Sequence, residues 1–375
     1  MTRTQPPIAI CGAGPGGLMC ARILELAKIP YVVFERDESA TWADGRGGSG
    51  CLDIHPDSGQ LALREAGLFD QFKAVARFDA TNRPEMDRKD LRRILLRSVP
   101  QHNIRWGCKI QEVKKDRDGS MTVHLADGRI ESGFRLVIGA DGAWSKARQL
   151  ISPAKPQYQG VHFLTTSMSP RNEHYACASS LAGKGNYLAF GDAKNIICMK
   201  LGDGSYYVAF GTWLPENWVE ENPVLAKDPT ALRQWILDEH LADWPAVHRD
   251  LIKYSDANFR PWKLVSMPTD AIPWKTVPGV TLLGDAAHCT VPNGEGVNHA
   301  LYDGYLLADQ IIKRGLDDLG GAVEEYEKLM FPRGIEQARS GPTVMKMMLD
   351  EGAPHSLIRF MMGPEQDART APLAE

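Results

Sequence analysis

The feature that most constrains the fold is a glycine fingerprint near the start of the chain, Gly12-x-Gly14-x-x-Gly17. An apolar run, Ile8-Ala9-Ile10, precedes it, and a stretch without helix breakers follows it as far as Leu26. Strand, tight turn and helix in this order predict the opening of a unit that binds a dinucleotide. In such a unit the first glycine makes the turn, the second lets the backbone approach a pyrophosphate, and the third lets helix and strand pack closely.

A second apolar run, Tyr31–Phe34, strengthens this interpretation because it ends in Glu35, 18 residues after Gly17. An acidic side chain at this place accepts hydrogen bonds from a ribose. The alternative is a glycine-rich turn in an ordinary βαβ unit, with Glu35 as a solvated strand end. Residue type, spacing and context all favour nucleotide binding.

A third signal lies far downstream, in the stretches Gly284–His288 and Pro292–Asn298. The run Val280–Leu283 is typical of a buried strand, which would deliver Asp285 to its end. A helix that begins near Gly296 would point backbone N–H groups at whatever lies ahead of it. The alternative for Asp285 is a turn or helix-capping aspartate. For His288 we favour a packed histidine.

Together these motifs resemble those of the group A flavoprotein monooxygenases, the FAD-dependent aromatic hydroxylases. Three motifs appear in the family's order: Gly12-x-Gly14-x-x-Gly17, then Asp141-Gly142 with Ser145 and Arg148, then Gly284-Asp285 with Pro292. Within that group the chain is most similar to the tetracycline-inactivating flavin monooxygenases, and the similarity covers nearly its whole length. The shared segments are residues 34–37, 52–55, 84–92 and 284–288.

The resemblance implies FAD as cofactor and a set of binding residues. Glu35 would hold the adenosine ribose, Arg36 and Arg88 would lie along the cofactor, and Asp285 would bind the ribityl chain. The full set implied is Gly12, Gly14, Gly17, Glu35, Arg36, Gly48, Arg88, Asp285, Gly294, Gly296 and Val297, of which the last three would line the flavin ring. One departure is Glu295, where the family usually has Gln. A carboxylate near a reduced flavin is unfavourable unless it points to solvent or is protonated.

The activity that the resemblance implies is hydroxylation of an aromatic or polycyclic small molecule, with secondary metabolism as one setting. NADPH or NADH reduces FAD, O2 adds to give a flavin C4a-hydroperoxide, and one oxygen goes to the substrate, so the cofactor carries the difficult step. The sequence has no second glycine fingerprint, which suits a nicotinamide that visits transiently. It also shows no nucleophile, metal cluster or dedicated base, so we name no catalytic residue. Epoxidation and Baeyer–Villiger insertion stay open.

We predict an α/β fold, α+β overall, with a Rossmann-like FAD-binding domain, an antiparallel substrate sheet and a C-terminal helix. The FAD-binding domain is discontinuous, at residues 1–155 and 256–342. Residues 156–255 form the substrate domain, because short β-rich runs separated by turn residues dominate there. Residues 343–375 form the C-terminal segment, with a methionine-rich helix at 343–350. A further helix is predicted at 229–241.

Residues expected to contact the substrate are Phe163, Thr165, Phe210, Pro292 and Met347. For the two phenylalanines a plain core position is equally open, and core is favoured over pocket for the methionine. By the resemblance, Thr165 and Ala209 occupy positions where tetracycline-inactivating relatives present Gln and His. The loss of both polar groups favours another polycyclic, polyketide or phenolic substrate. Tetracycline inactivation remains the alternative.

Composition narrows the other possibilities. The formal net charge of −4 argues against nucleic-acid binding, and we interpret the basic cluster of residues 88–93 as a solvated helix face, Arg88 excepted. Seven cysteines without a Cys-x-x-Cys pair indicate neither zinc nor disulfides. Without an apolar signal or membrane-spanning run, we expect a cytoplasmic monomer that binds no membrane. Two further alternatives are a non-oxygenating flavin oxidoreductase and a flavin-free scaffold like the GDP-dissociation inhibitors.

Overall fold

The computed structural model describes residues 7–41, 50–78 and 82–362. They fall into two compact units, and each is discontinuous in sequence. The first unit comprises the chain up to Gln157 together with Val265–Arg339. The second comprises Tyr158–Leu264 together with the chain from Ser340 onward.

The strands and helices follow in chain order. The strands are β1 (Ile8–Cys11), β2 (Tyr31–Phe34), β3 (Cys51–Asp53), β4 (Glu85–Asp87), β5 (Ile104–Arg105), β6 (Ile110–Lys115), β7 (Met121–Leu125), β8 (Ile130–Phe134), β9 (Leu136–Gly139), β10 (Gln157–Met168), β11 (Asn186–Gly191), β12 (Lys194–Lys200), β13 (Tyr206–Trp213), β14 (Arg260–Ser266) and β15 (Val280–Leu282). The α-helices are α1 (Pro15–Leu26), α2 (Leu61–Glu65), α3 (Phe69–Lys73), α4 (Arg88–Arg97), α5 (Tyr175–Ala182), α6 (Trp218–Glu221), α7 (Pro229–Trp235), α8 (Ala246–Lys253), α9 (Asp285–His288), α10 (Gly296–Arg314), α11 (Leu319–Met348) and α12 (His355–Met362).

The first unit is built on a parallel sheet with strand order β15-β9-β1-β2-β5. Every residue of β1, β2 and β9 is buried, as expected for parallel strands covered on both faces. Helix α1 packs against α10 across Gly304, where a Cβ would lie 2.3 Å from the Gly16 carbonyl oxygen. Smaller sheets β3-β4 and β6-β7-β8 flank this core.

The second unit is built on a sheet with strand order β11-β12-β13-β10-β14. Pairing is antiparallel from β11 through β12 and β13 to β10. Side chains alternate between the two faces, and one face packs on helices α5, α7 and α8 in a hydrophobic core that includes Leu164, Phe210 and Leu232.

The predicted fold class is confirmed: a Rossmann-like parallel sheet, a separate antiparallel sheet and a C-terminal helix. Two boundaries differ from those predicted. Residues 256–264 belong to the second unit, because β14 joins the sheet beside β10. Residues from 340 onward group with that unit too, where the Trp213 indole N–H donates to the Leu349 carbonyl at 3.1 Å.

Two helices also differ in extent. The predicted segment 343–350 overlaps the end of α11, which runs unbroken through Pro332 and Pro342. The segment 229–241 is α7 followed by a π-helical turn at Ile236–His240. Within residues 7–41, 50–78 and 82–362, no helix has the length and apolar composition that a membrane span requires.

Candidate functional site

A cleft of about 620 Å³ opens in the first unit where β1, β2 and β9 end. In an open parallel sheet, the crevice beyond the carboxyl ends of the strands is the usual place for a ligand. The structure brings six residues of the predicted FAD-binding set to this cleft: Gly12, Gly14, Glu35, Arg36, Arg88 and Asp285.

The fingerprint glycines have separate physical roles. At Gly12, with φ of +117°, a Cβ would lie 2.3 Å from the Ala140 carbonyl oxygen. At Gly17 a Cβ would lie 2.1 Å from the Gly12 carbonyl oxygen, so the loop closes only without side chains there. At Gly14 a Cβ would meet nothing within 4 Å, because this residue faces the open cleft and precedes α1. That space suits a ligand that approaches the backbone, as a pyrophosphate does.

Glu35 links the fingerprint loop to the end of β2. The Ala13 N–H donates to Glu35 Oε2 at 2.6 Å, and the Asp37 N–H donates to Glu35 Oε1 at 3.0 Å. The side chain is buried, yet it lines the cleft. A carboxylate has about four acceptor positions, so two backbone donors leave room for ribose hydroxyls.

Asp285 opens the short helix α9 directly after β15 and Gly284. The residue is exposed where it faces the cleft, although protein atoms crowd it on its other sides. That crowding raises the pKa of Asp285 above its usual value, while the charges of His288 and Arg88 act to lower it. Its free face is suited to accept hydrogen bonds from hydroxyl groups of a ligand.

The Asp141-Gly142 motif forms the opposite rim of the cleft. The Lys146 N–H donates to Asp141 Oδ2 at 2.7 Å, whereas Asp141 Oδ1 is buried with no hydrogen-bond partner among the described residues. Arg148, which is buried, donates to the carbonyl oxygens of Ala143 at 2.5 Å and Ala286 at 2.9 Å. This arginine therefore ties the loop after β9 to helix α9.

His288 is packed in the core of the first unit, in agreement with the favoured interpretation. His288 Nε2 lies 2.7 Å from Asp303 Oδ2, and Arg333 donates to Asp303 Oδ1 at 2.9 Å. Burial lowers the pKa of His288, but the charge and hydrogen bond of Asp303 outweigh it and the pKa is raised. Burial opposes ionisation of Asp303, yet its cationic partners lower its pKa. The pair holds α9 against α10.

The residues predicted to line the flavin ring lie at the start of α10. Gly294 has a φ of +84°, Gly296 is the first helical residue, and Val297 is buried in the core of the unit. They are not among the residues that line the 620 Å³ cleft, so their contact with the ring stays a prediction. Gly48 lies outside the described residues.

Glu295 has a side-chain partner that the sequence did not indicate. His55 Nδ1 lies 3.1 Å from Glu295 Oε2. This hydrogen bond lowers the pKa of Glu295, against the opposing effect of burial, and so favours the ionised carboxylate. The segment 52–55 therefore supplies the hydrogen-bond partner of Glu295, His55.

Asn298 is a site residue that the sequence interpretation passed over. Its side chain is fully buried, accepts from the His55 N–H at 2.8 Å, and donates to the Asp53 carbonyl at 2.9 Å and the Gly294 carbonyl at 3.3 Å. This one amide holds the residues after β3 against the first turn of α10. No local pattern predicts it, because two of its three partners, the His55 N–H and the Asp53 carbonyl, are more than 240 residues away in sequence.

Arg92 corrects the interpretation of the basic cluster as a solvated face. Its guanidinium donates to Asp37 Oδ2 at 2.8 Å, and both side chains are largely buried at 16% and 15% exposure. Arg92 also lines the cleft beside Arg88. Helix α4 therefore presents two of its arginines to the ligand site.

In the second unit, the sheet face opposite the helices carries two of the predicted substrate residues. Thr165 lies directly across from Ala209, and Phe163 lies across from Gly211. A Cβ at Gly211 would lie 2.5 Å from a ring carbon of Phe163, so the phenylalanine ring covers this glycine. Phe163 and Thr165 are 5% and 8% exposed.

The other substrate predictions fall in different surroundings. Phe210 belongs to the helix-packed core and is fully buried, with its ring 5.4 Å from that of His240, so the core alternative is the one the structure favours. Met347 is partly buried near the end of α11, while Met345 is buried. Pro292 is exposed and belongs to the first unit.

Two further residues on this sheet went unpredicted. The indole N–H of Trp262, an exposed side chain on β14, donates to Thr165 Oγ1 at 2.9 Å. The Thr165 hydroxyl in turn donates a hydrogen bond to the Arg260 carbonyl at 3.3 Å. Asn195 on β12 is fully buried, and both polar atoms of its side chain have no hydrogen-bond partner among the described residues. Such a group is costly unless something pairs with it.

Comparison with known proteins agrees with this geometry. A family described as FAD binding domain matches residues 86–315, which is well over half of the chain. Monooxygenase penA of Penicillium thymicola is 28% identical, and the alignment covers 89% of this chain and 93% of that protein.

Two solved structures share the fold. Klebsiella pneumoniae HpxO complexed with FAD and uric acid has a TM-score of 0.74 and 22% identity, over 96% of this chain and 92% of that one. Tetracycline destructase Tet(51) has a TM-score of 0.70 and 19% identity, over 100% of both chains. At these identities the structural likeness concerns the fold.

Proposed function

The chain belongs to the FAD binding domain family and is an FAD-dependent monooxygenase, and from that premise we propose that it uses NADPH or NADH and O2 to hydroxylate an aromatic or polycyclic small molecule. One observation carries the proposal: Gly14, Glu35, Arg88 and Asp285, taken from four separate parts of the sequence, line a single cleft of about 620 Å³. When bound there, FAD supplies the reduction and the oxygen chemistry, and the protein supplies binding and orientation.

The residues of the cleft suit the adenosine, pyrophosphate and ribityl parts of FAD. Gly14 directly precedes α1, and the backbone N–H groups at this helix start, together with the open space at Gly14, allow a pyrophosphate to approach. Glu35 accepts from the adenosine ribose, and Arg36 and Arg88 place positive charge along the phosphates. Asp285 binds hydroxyl groups of the ribityl chain through its exposed face.

The flavin ring would meet the start of α10, at Gly294, Gly296 and Val297. The first-turn N–H groups of this helix carry partial positive charge, which stabilises an electron-rich reduced ring. His55 Nδ1 lies 3.1 Å from the Glu295 carboxylate at this end of the helix and gives it a hydrogen-bond partner. The departure from the family's usual Gln is thereby accommodated.

The substrate ring would pack against the sheet face of the second unit that carries Phe163, Thr165 and Trp262. Aromatic side chains hold a planar ring by stacking or edge contacts and add little polarity. The Thr165 hydroxyl donates its hydrogen bond to the Arg260 carbonyl and accepts one from Trp262. It therefore has no donor and only one acceptor position for a polar substrate. This favours a largely apolar polycyclic or phenolic compound.

We assign no catalytic acid or base. His288, which lies in the segment Gly284–His288, is 2% exposed and bonded to Asp303, so it is not placed to reach a substrate. Rate enhancement would come from holding the ring in place and keeping water out. Tetracycline and uric acid are included as test compounds. One protein of this fold is a tetracycline destructase, and another has been solved in complex with FAD and uric acid.

The test begins with the purified protein and its visible spectrum. We expect a yellow protein whose NADPH or NADH oxidation rises with one member of a panel of phenols, polycyclic polyketides, tetracyclines and uric acid. Mass analysis should show that this compound gains one oxygen atom. Reduction of FAD without any oxygenated product would instead indicate a non-oxygenating flavin oxidoreductase.

A variant of the cleft makes the test specific. Asp285→Asn should lower the FAD retained after gel filtration, because the amide has lost one acceptor for the ribityl hydroxyls. Asp270→Asn, an exposed aspartate of the first unit outside the cleft, serves as control and should retain FAD fully. A wild-type protein that stays colourless with added FAD would overturn the proposal in favour of a scaffold.

A further inference from the structure

A second cleft, of about 570 Å³, lies along helix α4 in the first unit. Four cations line it: Lys89, Arg92, Arg93 and Arg97. No aspartate or glutamate is among its lining residues in the described part of the chain. Its size is that of a small-molecule site.

Carboxylates outside the lining hold three of these cations in place. Arg92 pairs with Asp37 at 2.8 Å, Arg93 pairs with Asp90 at 2.6 Å, and Lys89 lies 4.0 Å from Asp87. An arginine has five N–H donors in a fixed fork, so one carboxylate does not exhaust it. The pairs orient the guanidinium groups before any ligand arrives, which lowers the entropic cost of binding an anion.

The wall of this cleft is apolar beside the charges. Leu96, Val99 and Pro100 contribute it, and the first two are buried at 5% and 3% exposure. A flat base packs against such a wall, and a phosphate dianion forms paired hydrogen bonds with arginine. A phosphorylated adenosine carries both groups in one molecule.

The position of the cleft indicates which phosphorylated adenosine it would take. Arg92 lines both this cleft and the 620 Å³ cleft assigned to FAD. The adenosine half of FAD already has its own partners at Glu35 and Gly14. The other phosphorylated adenosine that the proposed reaction uses is that of the reductant, NADPH.

We propose that the α4 cleft binds the 2′-phosphoadenosine end of NADPH and makes the enzyme prefer NADPH to NADH. The inference rests on the proposed use of a nicotinamide reductant. NADH lacks the 2′-phosphate, so it forgoes the charge-assisted hydrogen bonds that Arg93 and Arg97 supply. The basic face of α4 is then a specificity site.

The test measures binding without turnover. Titration calorimetry on the FAD-loaded protein compares 2′,5′-ADP with 5′-ADP, and we expect the 2′-phosphate to tighten binding about tenfold or more. The preference should shrink as salt is raised from 50 to 300 mM, because screening weakens exposed charge pairs. This arm needs only the wild-type protein.

A double variant then locates the site. Arg93→Gln with Arg97→Gln should abolish the preference for 2′,5′-ADP while FAD content stays unchanged. The matched control, Lys114→Gln with Lys328→Gln, removes two exposed positive charges of the same unit outside both clefts and should keep the preference. In anaerobic flavin reduction, the arginine variant should weaken the apparent affinity for NADPH and leave that for NADH unchanged.

Three results would overturn the inference: equal wild-type binding of the two nucleotides, a preference that survives in the arginine variant, or displacement of 2′,5′-ADP by inorganic phosphate at equal concentration. The last would indicate an anion site only. Failure of the proposed function looks different. In that case neither nicotinamide reduces FAD, although the binding preference and its loss in the variant remain.

Discussion

The fingerprint loop of the first unit and the open sheet face of the second differ in what restricts the residue type at each position. In the loop, a Cβ at Gly12 or Gly17 would lie 2.3 or 2.1 Å from a backbone oxygen, so substitution there forces the main chain to move. On the sheet face, Thr165 and Ala209 occupy regular paired strand positions. The loop is therefore constrained by backbone shape, whereas the proposed substrate face is defined by its side chains.

Buried polar groups show the same difference. Asn298 in the first unit and Asn195 in the second are both fully buried. The first amide makes three hydrogen bonds that hold α10 in place, whereas the second makes none among the described residues. The Asn298 amide thus supports the structure of the first unit, whereas the Asn195 amide makes no such contribution among the described residues.

The largest expected effect comes from the loop glycines. Gly17→Ala should lower the free energy of unfolding by about 3 kcal/mol and abolish FAD retention, because the clash is with backbone. Gly14→Ala should leave the unfolding midpoint nearly unchanged, since its Cβ meets only open space, yet it should weaken FAD binding. Chemical denaturation and the 450 nm absorbance check both variants. Equal FAD content in the two would break the distinction between the glycines.

The next effect compares the two asparagines. Asn298→Leu should cost about 3 kcal/mol of unfolding free energy, because three backbone groups lose their partner. Asn195→Leu should be neutral or stabilising by about 1 kcal/mol, because it removes an unpaired amide. Chemical denaturation of both variants measures the two changes in the free energy of unfolding. A similar loss in both variants would mean that Asn195 has a partner in solution.

The smallest effect concerns the sheet face. Thr165→Val should lower stability by about 1 kcal/mol and change the KM of the substrate without changing FAD content, because Trp262 loses its acceptor. Thr166→Val serves as control, since its hydroxyl lies within 2.6 Å of the Asp256 carbonyl and it points to the opposite face. That variant should lose similar stability and keep KM. An unchanged KM in the Thr165 variant would contradict its placement at the substrate.

The sequence predicted most elements of the fold because their signals are local. Strand β2 begins and ends at the predicted residues, Tyr31 and Phe34, and α10 begins at Gly296 as expected. The error in the return to the first unit, at 265 rather than 256, arose because β14 has no local signal that tells which sheet it will join. Sheet membership is decided by long-range pairing.

The site was predicted unevenly for the same reason. Motif residues such as Glu35 and Asp285 could be singled out by spacing and residue type, and the structure brings both to one cleft. Asn298, Trp262 and the pairing of Glu295 with His55 were not, because each depends on a partner distant in sequence. The role of Arg92 was misjudged, since the sequence shows an amphipathic helix and not which of its cations faces a cleft.

By itself the sequence determined that this chain builds a strand, turn and helix typical of dinucleotide binding, because residue type and spacing are local signals, and three motifs placed it by resemblance with the flavoprotein hydroxylases. Only the tertiary structure decided which charges are paired, which amide is left without a partner, and which face of α4 borders a cleft. Those properties arise from contacts between residues tens to hundreds of positions apart, and no local spacing encodes them.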